Sequence, residues 1–416
     1  MSVVDAGESE SFPPPPVDQE HRQTEPIDIA PIFSPTAIVQ TPTAVSETTP
    51  GSATPFNSPS AAPPLSAPRP RSLAVHIGRS GEVAGGMSQV INGYLGHSFA
   101  NFDLRLVCSR DGSSGARAAL LALSAFWKVL RLGNPDNTVV IAHLSQGGSF
   151  VREGALLALA QARGFATVAQ LHGSSFSDFA RKQPGLVGRI LRAADVVLTL
   201  STESREAAKE FVPGERVVLV PNAVAEGAQR ALEPLVVFGG SVSKRKGVDV
   251  LVEAWRRLAP EHPLWKLVIA GPIADQPAVP LTRAEFVGAL SHEALMKLLE
   301  RSMIAVLPSR DEAMPMFILE AMARNNCVVA TRVGGVPAVL ANDVGVVVEP
   351  GDIDSLESAL RHAMTDAPWR THKADLARSA FHANYSAEAV FPLVERSWTA
   401  ALDRRSDRAA RRYRPQ

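Results

Sequence analysis

Residues 302–330 read SMIAVLPSRDEAMPMFILEAMARNNCVVA, and they contain two apolar runs separated by a polar turn and a helical pattern. Residues 303–307 are apolar and end at Pro308, as expected for a buried parallel strand. Pro315 suits the first turn of a helix, where its missing N–H needs no partner, and apolar residues follow it at helical spacing. The stretch therefore predicts a strand, a loop, a helix and a second strand of an α/β sheet.

Two carboxylates frame this predicted loop and helix. Glu312 lies in the loop after the strand, and the carboxyl ends of strands are where open α/β sheets bind ligands. Glu320 lies among apolar residues of the helix, where its carboxylate is suited to accept hydrogen bonds from a vicinal diol such as a ribose. The alternative is that Glu320 forms an exposed pair with Arg324 at i, i+4 spacing, and these residues alone leave both open.

The segment 308–337, PSRDEAMPMFILEAMARNNCVVATRVGGVP, resembles the signature of glycosyltransferase family 4. That family has two glutamates separated by seven residues, then a helix of small residues, a Val-Val-Ala-Thr strand and Val-Gly-Gly, and this chain has the same pattern from Glu312 onward. The resemblance covers roughly residues 72–402. It implies an α/β protein of the GT-B fold, with two Rossmann-like domains facing across a cleft and a C-terminal helix crossing back to the first domain.

Composition agrees with a two-domain enzyme of this kind and disfavours other classes. The 416 residues carry 42 basic and 42 acidic side chains, so no overall charge attracts nucleic acid. No apolar run has the length of a membrane span, and no signal peptide is visible. Cys108 and Cys327 fall in separate predicted strands, so we expect no disulfide and a cytoplasmic location.

The chain divides into five predicted segments. Residues 1–70 are rich in Pro, Ser and Thr and are predicted to be disordered. Residues 71–222 and 223–385 show alternating strands and helices, which predicts two Rossmann-like domains, and the resemblance implies that they are the acceptor and nucleotide-sugar domains. Residues 386–403 are the predicted crossover helix, and 404–416 are an arginine-rich tail, interpreted as a solvated end or as a weak contact with anionic lipid.

In the first domain, strands are expected at 72–77, 104–108, 138–143, 166–171, 196–200 and 216–220, and helices near 87–96, 116–130, 150–162, 179–193 and 202–211. In the second, strands are expected at 235–238, 267–270, 303–307 and 345–348, and helices at 248–258, 353–364 and 370–382, and the crossover helix is expected at 387–402.

A basic turn, residues 243–247, precedes the predicted helix at 248–258. Cations at a helix start oppose the helix dipole, and a bound anion offsets that cost, although a solvated basic turn fits the same residues. The resemblance implies that Lys246, with Arg245, contacts the donor diphosphate. The family usually has an arginine five residues before this lysine, and this chain has Ser241. Two further departures are Ala313, in place of a common glycine, and Ala338, in place of a common acid.

Further donor contacts follow from the resemblance. The loop GRSGEVAGG, residues 78–86, brings Gly85 and Gly86 near the donor phosphate, although such loops are also common turns. Residues 288–291 resemble a loop beside the nucleotide base. The donor-binding set implied in this way is Glu320, Gly85, Gly86, Met314, Pro315, Gly288 and Leu290, with Glu312 orienting the sugar hydroxyls.

The first domain contributes one implied catalytic residue and a predicted acceptor side. His172 precedes Gly173 at a strand end, and the family has His-Gly at this position touching the transferred sugar. The acceptor-side residues, His143, Ser149 and Arg152, resemble a segment of bacterial polysaccharide transferases. Residues 176–182 carry two phenylalanines and two cations that suit either a packed helix or contact with a lipid-linked acceptor.

The predicted function is retaining transfer of a sugar from a nucleotide diphosphate-sugar, UDP-sugar favoured, to a glycan or lipid-linked acceptor. No metal or other cofactor is expected, and the expected partners are the donor, the acceptor and, through a peripheral contact, the inner membrane surface, with no nucleic acid. A UDP-sugar 2-epimerase and an inactive scaffold are the alternatives. A P-loop kinase is disfavoured because the chain lacks G-x-x-x-x-G-K-[ST].

Overall fold

The computed structural model describes residues 71–79, 86–228, 230–275 and 281–412. The predicted disordered segment 1–70, the donor-site candidate Gly85 and the last four residues of the arginine-rich tail lie outside this range. Residues 71–412 belong to one compact unit of the chain.

The first half is a six-stranded parallel sheet with the order β2-β1-β3-β4-β5-β6. Strands β3 and β4 are buried along their whole length, because helices cover both faces of the sheet and apolar residues dominate both strands. The strands are β1 Ser72–Arg79, β2 Phe102–Arg110, β3 Thr138–Leu144, β4 Ala166–Leu171, β5 Val196–Thr199 and β6 Val217–Leu219. The helices are α1 Gly86–Leu95, α2 Gly115–Leu130, α3 Gly148–Ala162, α4 Phe176–Lys182, α5 Pro184–Arg192 and α6 Thr202–Lys209.

The second half is another six-stranded parallel sheet, with the order β12-β11-β10-β7-β8-β9. Its strands are β7 Glu233–Gly239, β8 Lys266–Ala270, β9 Ala284–Gly288, β10 Ser302–Leu307, β11 Cys327–Thr331 and β12 Val346–Val348. Its helices are α7 Val248–Leu258, α8 His292–Leu299, α9 Met316–Met322, α10 Val336–Val339, α11 Ile353–Thr365 and α12 Ala367–Asn384. The opening stretch therefore forms β10, α9 and β11 as predicted.

Two details of the element prediction are wrong or incomplete. The expected helix at 179–193 is two helices, α4 and α5, because the chain breaks at Gln183 and Pro184 starts a new first turn. Strand β9 and helix α8 were not predicted. Strand β9 carries a charge at its second residue, Glu285, and lies at the sheet edge, where a strand needs no apolar run.

The last helix, α13 Ala387–Arg412, packs on the first half. Its residues Val390, Phe391, Val394, Trp398 and Ala401 are buried in the core that also contains β1, β3 and β4 residues. The prediction ended this helix at residue 402, whereas it continues to Arg412, and it left the arginines solvated, which is wrong for Arg405 and Arg408. Arg408 pairs with the buried Asp195, and Arg405 donates to the Gly164 carbonyl oxygen at 2.8 Å.

No helix in the described part of the chain is long and apolar enough to cross a membrane. The free cysteines Cys108 and Cys327 lie in β2 and β11, so each is in a different half.

Candidate active site

The two halves contact each other where the carboxyl ends of β4 and β10 approach. The Ser174 hydroxyl, beyond the end of β4, donates a 2.7 Å hydrogen bond to the Asp311 carboxylate, beyond the end of β10. Ser175 donates to the other Asp311 oxygen at 3.3 Å. A Cβ placed on Gly86, at the start of α1, would lie 3.6 Å from Met316 at the start of α9. Two helix starts and two strand ends thus meet in one cleft.

On the second-half side of this cleft, the Lys246 ammonium pairs with the Glu312 carboxylate. Both side chains are at most 16% exposed, and the Ser309 hydroxyl donates a second hydrogen bond to Glu312 at 2.7 Å. Arg245 is about half exposed and donates to the Asp311 carbonyl oxygen at 3.0 Å. The structure therefore brings together the three second-half residues predicted to be catalytic.

Two loops hold this pair in place, one before α7 and one after β10. The Arg310 guanidinium donates to both oxygens of Asp249 at 2.7 and 2.9 Å, and the Arg310 backbone N–H donates to the Arg245 carbonyl oxygen at 2.8 Å. Gly247 has φ of +71°, and a Cβ there would collide with the Pro308 carbonyl oxygen. The glycine after Lys246 is therefore required, because only glycine allows this approach.

The Val-Gly-Gly segment supports the other side of Glu312. The Gly335 N–H donates to the Ala313 carbonyl oxygen at 2.9 Å, and a Cβ on Gly334, which has φ of +49°, would collide with the Glu312 carbonyl oxygen. These glycines therefore fix the backbone that carries the Glu312 carboxylate.

Glu320 is buried in α9, with 5% of its surface exposed. Arg324 is also buried, and its guanidinium donates to the Glu320 carbonyl oxygen at 3.1 Å. The exposed Glu320–Arg324 pair is therefore wrong. Burial raises the pKa of Glu320 to about 7, although the nearby Arg324 charge lowers it. His292 Nδ1 lies 3.7 Å from the Glu320 carboxylate, so this acid faces a second polar group that the prediction did not name.

The other predicted donor residues lie at the end of β9 and before α9. Gly288 ends β9 with φ of +70°, its carbonyl oxygen accepts from Gly271 N–H at 2.7 Å, and Leu290 follows in the loop before α8. Pro315 caps α9, and the Met314 sulfur accepts from Asn222 N–H of the first half at 3.3 Å.

Ser241, in place of the family's arginine, lies in the loop between β7 and α7. Its hydroxyl is 3.2 Å from that of Ser243, which in turn accepts from Lys246 N–H at 3.3 Å. Ser241 is therefore linked to the Lys246 turn but brings no positive charge to it.

A chain of three histidines leads from the cleft into the first half. His172 Nε2 lies 2.9 Å from His143 Nδ1, and His143 Nε2 lies 2.9 Å from His76 Nδ1. Burial lowers the pKa of His172 to about 4 and that of His76 to about 3, and the pKa of His143 also falls well below its usual range. All three rings are therefore neutral near pH 7. His143 is fully buried with both nitrogens engaged, so it can act on an acceptor only through His172.

The remaining acceptor-side candidates meet a carboxylate that the sequence analysis missed, Glu153. Ser149 donates to it at 2.8 Å, Arg152 at 2.8 Å, and Ser109 donates to it as well. Glu153 is only 1% exposed, so Ser149 and Arg152 are held by a buried acid. A carboxylate four residues after Ser149 in a helix was the available signal.

The α4 aromatic residues pack inward. Phe176 is buried in the first-half core, and Phe179 packs against that core, whereas Arg181 pairs with Asp178 on the surface. This supports the packed-helix interpretation of 176–182. Within the described residues, no group of three or more His, Cys, Asp or Glu side chains is placed to hold a metal ion.

Family models match both halves of the chain. The model described as "Glycosyl transferases group 1" matches residues 225–380, and that of the "Glycosyl transferase 4-like domain" matches 101–223. The two matches follow the two sheets, and the first contains Lys246, Glu312 and Glu320. The chain belongs to the family 4-like glycosyltransferases. Its two-domain architecture is the GT-B fold.

Individual relatives of this family 4-like glycosyltransferase are distant. A glycogen synthase of Mycobacterium tuberculosis H37Rv is 28% identical over 230 residues, which cover 51% of this chain and 56% of the relative. The chain thus spans about half the length of that curated relative. A sucrose-phosphate synthase from Thermosynechococcus elongatus has a TM-score of 0.59 at 18% identity, covering 80% of this chain and all of that one. HepE from Anabaena, solved with UDP and glucose, has a TM-score of 0.60 at 14% identity, covering 79% and 99%.

Proposed function

We propose that this protein transfers a sugar from a nucleoside diphosphate donor to a glycan or lipid-linked acceptor, with retention of anomeric configuration. The observation that carries the proposal is the convergence of Lys246, Glu312 and His172 on one interdomain cleft, with Glu320 buried on the helix that follows Glu312.

Lys246 and Arg245 are the groups suited to the departing diphosphate. The Lys246 ammonium has three N–H donors, and its pair with Glu312 uses one of them. Among the described residues the other two have no acceptor, so they can bind phosphate oxygens while Glu312 holds the lysine in place. Stabilising negative charge where it develops is commonly the largest contribution to such a reaction.

Glu320 and His172 are assigned to the two ends of the donor. An ionised Glu320 can accept hydrogen bonds from both ribose hydroxyls, and its burial strengthens them. The neutral His172 ring lies across the cleft, where it would contact the sugar. We assign no enzyme nucleophile: the bond from the anomeric carbon to the phosphate oxygen breaks, the acceptor oxygen bonds on the same face, and its proton passes to the departing phosphate. No metal is required in this scheme, because the cations above neutralise the phosphate charge.

We favour a UDP-sugar as the donor, because the HepE structure of the same fold was solved with UDP and glucose. For the acceptor we propose a glycan or lipid-linked glycan, presented at the cytoplasmic face of a membrane.

The test is nucleotide release from UDP-, GDP- and ADP-sugars, with and without EDTA, by the native chain and by Glu320→Ala. One nucleotide should be released without metal and should also raise the melting temperature, since a ligand at 100 times its Kd adds about 2.7 kcal/mol. Proton NMR of the first product would establish retention or inversion.

An inactive scaffold is the second candidate, favoured by the missing cation at Ser241. Absence of turnover and of any melting-temperature shift with all three nucleotides would support it. Conversion of the donor to its epimer without acceptor would instead indicate a 2-epimerase.

A further inference from the structure

Helix α2 turns apolar side chains toward solvent. Its residues Leu120, Leu123 and Trp127, here named the α2 stripe, are 66%, 52% and 47% exposed. Their spacing places them on one helical face, opposite Ala125 and Val129, the two buried residues of the helix. A surface helix normally presents polar residues outward, so this arrangement is typical of a helix that binds another apolar surface.

A basic groove runs beside the stripe, between α2 and the edge strand β2. Trp127 and three cations, Arg105, Lys128 and Arg131, line it, and we name it the α2–β2 groove. Among the described residues, none of these three cations forms an ion pair with a carboxylate. The Arg131 guanidinium lies 5.6 Å from the centre of the Trp127 ring, which joins the groove to the stripe.

The positive charge of α2 and its groove favours an anionic partner. Helix α2 contains Arg117 and Lys128 and no acidic residue, although the whole chain has a formal charge of zero. Arg117 is paired with Asp111, so the available positive charge is concentrated at the groove. Leucines with a tryptophan next to Lys and Arg are the composition of helices that lie in a membrane interface.

We propose that the α2 stripe and the α2–β2 groove together bind an anionic lipid bilayer. The leucines and Trp127 enter the interface, and Arg105, Lys128 and Arg131 contact lipid phosphates. Lys128 and Arg131 lie at the end of α2 and Arg105 near the start of β2, so the groove lies toward the amino ends of the strands, whereas the cleft lies at their carboxyl ends. Binding through this surface would hold the protein at a bilayer, which is where a lipid-linked acceptor is presented.

Bilayer binding adds a membrane partner to the proposed function. It depends on that function only for the link to a lipid-linked acceptor. Bilayer binding itself is independent of catalysis, because the groove and the stripe share no residue with the Lys246–Glu312 site.

The test is flotation of the full chain with vesicles of phosphatidylcholine alone and with vesicles of equal parts phosphatidylcholine and phosphatidylglycerol. We expect binding to the anionic vesicles only, weakened by salt. The triple variant Arg105→Gln, Lys128→Gln, Arg131→Gln should reduce partitioning about a hundredfold, since each cation near an anionic surface contributes roughly a factor of five. Leu123→Gln with Trp127→Gln should abolish it.

Matched controls lie elsewhere on the surface. Leu264→Gln removes an apolar side chain of the second half that is 82% exposed, and Lys182→Gln removes a cation of α4. Neither should change flotation, and an equal loss with Lys182→Gln would overturn the assignment to α2. The proposal is also overturned if the stripe variants bind vesicles like the native chain, or if they change only the oligomeric state measured by light scattering.

Circular dichroism and melting curves should show that all variants are folded, because the changed side chains are exposed. Donor turnover with a water-soluble acceptor separates the two hypotheses. Vesicle binding without turnover by any variant would contradict the proposed function and support bilayer binding. Turnover without vesicle binding would support the proposed function and contradict bilayer binding.

Discussion

Asp311 accepts a hydrogen bond from Ser174 at 2.7 Å, and the two residues belong to opposite halves of the molecule. The same aspartate accepts from Arg245 through its carbonyl oxygen at 3.0 Å. One residue therefore joins the first half, through its side chain, to a cation assigned to the leaving group.

Replacing Asp311 by alanine removes this connection. We expect the ratio of donor hydrolysis to sugar transfer to rise about tenfold, because hydrogen bonds to a charged group contribute roughly 1.5–3 kcal/mol and the halves would close less completely. Product analysis with and without acceptor measures the ratio. Asp178→Ala, an acid exposed on α4, is the control, and an unchanged ratio in Asp311→Ala would refute the role in closure.

Lys246→Ala should lower kcat by about a hundredfold to a thousandfold, the usual effect of removing one donor that stabilises developing charge. Ser309 still donates to Glu312, so the variant should remain folded. The control is Lys244→Ala, which removes an exposed cation of the same turn. Steady-state kinetics of both variants is the measurement, and equal losses would indicate a general effect of positive charge.

Glu320 makes stability depend on pH in an unusual direction. Its pKa rises from 4.5 to about 7 on folding, so the native state binds the proton more tightly than the unfolded state between these values. Stability therefore falls as pH rises from about 4.5 to 7, by on the order of 3 kcal/mol. Urea unfolding across this range should show the fall in the native chain and lose this component in Glu320→Gln, but not in Glu285→Gln, which changes an exposed acid of β9.

Nucleotide affinity should rise with pH, although stability falls, because only the ionised Glu320 accepts hydrogen bonds from both ribose hydroxyls. Calorimetric titrations should show tighter binding as pH rises through 7, and no such change in Glu320→Gln. A parallel pH profile in both proteins would remove Glu320 from the ribose site.

The three histidines should destabilise the protein in acid. Their pKa values fall below the usual 6.5 on folding, so the unfolded state binds more protons and stability is lost as pH drops below about 6.5. Three sites titrating together give a slope of up to roughly 4 kcal/mol per pH unit. Urea unfolding at a series of pH values from 6.5 to 5 measures this slope. His76→Phe should reduce it, and the control His372→Gln, which changes an exposed residue of α12, should not.

Arg408→Ala should destabilise the protein by about 2–3 kcal/mol, because it leaves the Asp195 carboxylate buried without its cation. Arg404→Ala is the control, since the nearest carboxylate oxygen of Glu215 is 4.0 Å away. Melting temperatures should differ by several degrees between the two variants. Adding Asp195→Asn to Arg408→Ala should recover part of the loss, and no recovery would locate the effect outside this pair.

The sequence predicted the sheets well because parallel strands are apolar runs whose burial does not depend on distant details. Strand 166–171 was predicted with its observed ends, and Gly247 and Gly334 lie where the signature requires glycine. Strand β9 was missed because its place at an edge permits a polar residue, which weakens the apolar signal.

The missed site residues depend on contacts between distant parts of the chain. Asp311, Glu153 and His76 have ordinary surroundings in the sequence, and each becomes significant only when another strand or the other half brings its partner. The arginines after residue 402 resemble a solvated tail for the same reason, since Asp195 precedes them by more than two hundred residues.

The path of α13 also sets the order in which the protein can fold during synthesis. The first sheet leaves the ribosome early, but its core includes Val390, Phe391, Val394 and Trp398 from the end of the chain. The second half has its own core and can close before α13 is translated. Translation therefore delivers the first half with an open apolar face, which stays open until the last helix emerges. The half that is made first is completed last, and a nascent chain stopped before Ala387 would expose that face.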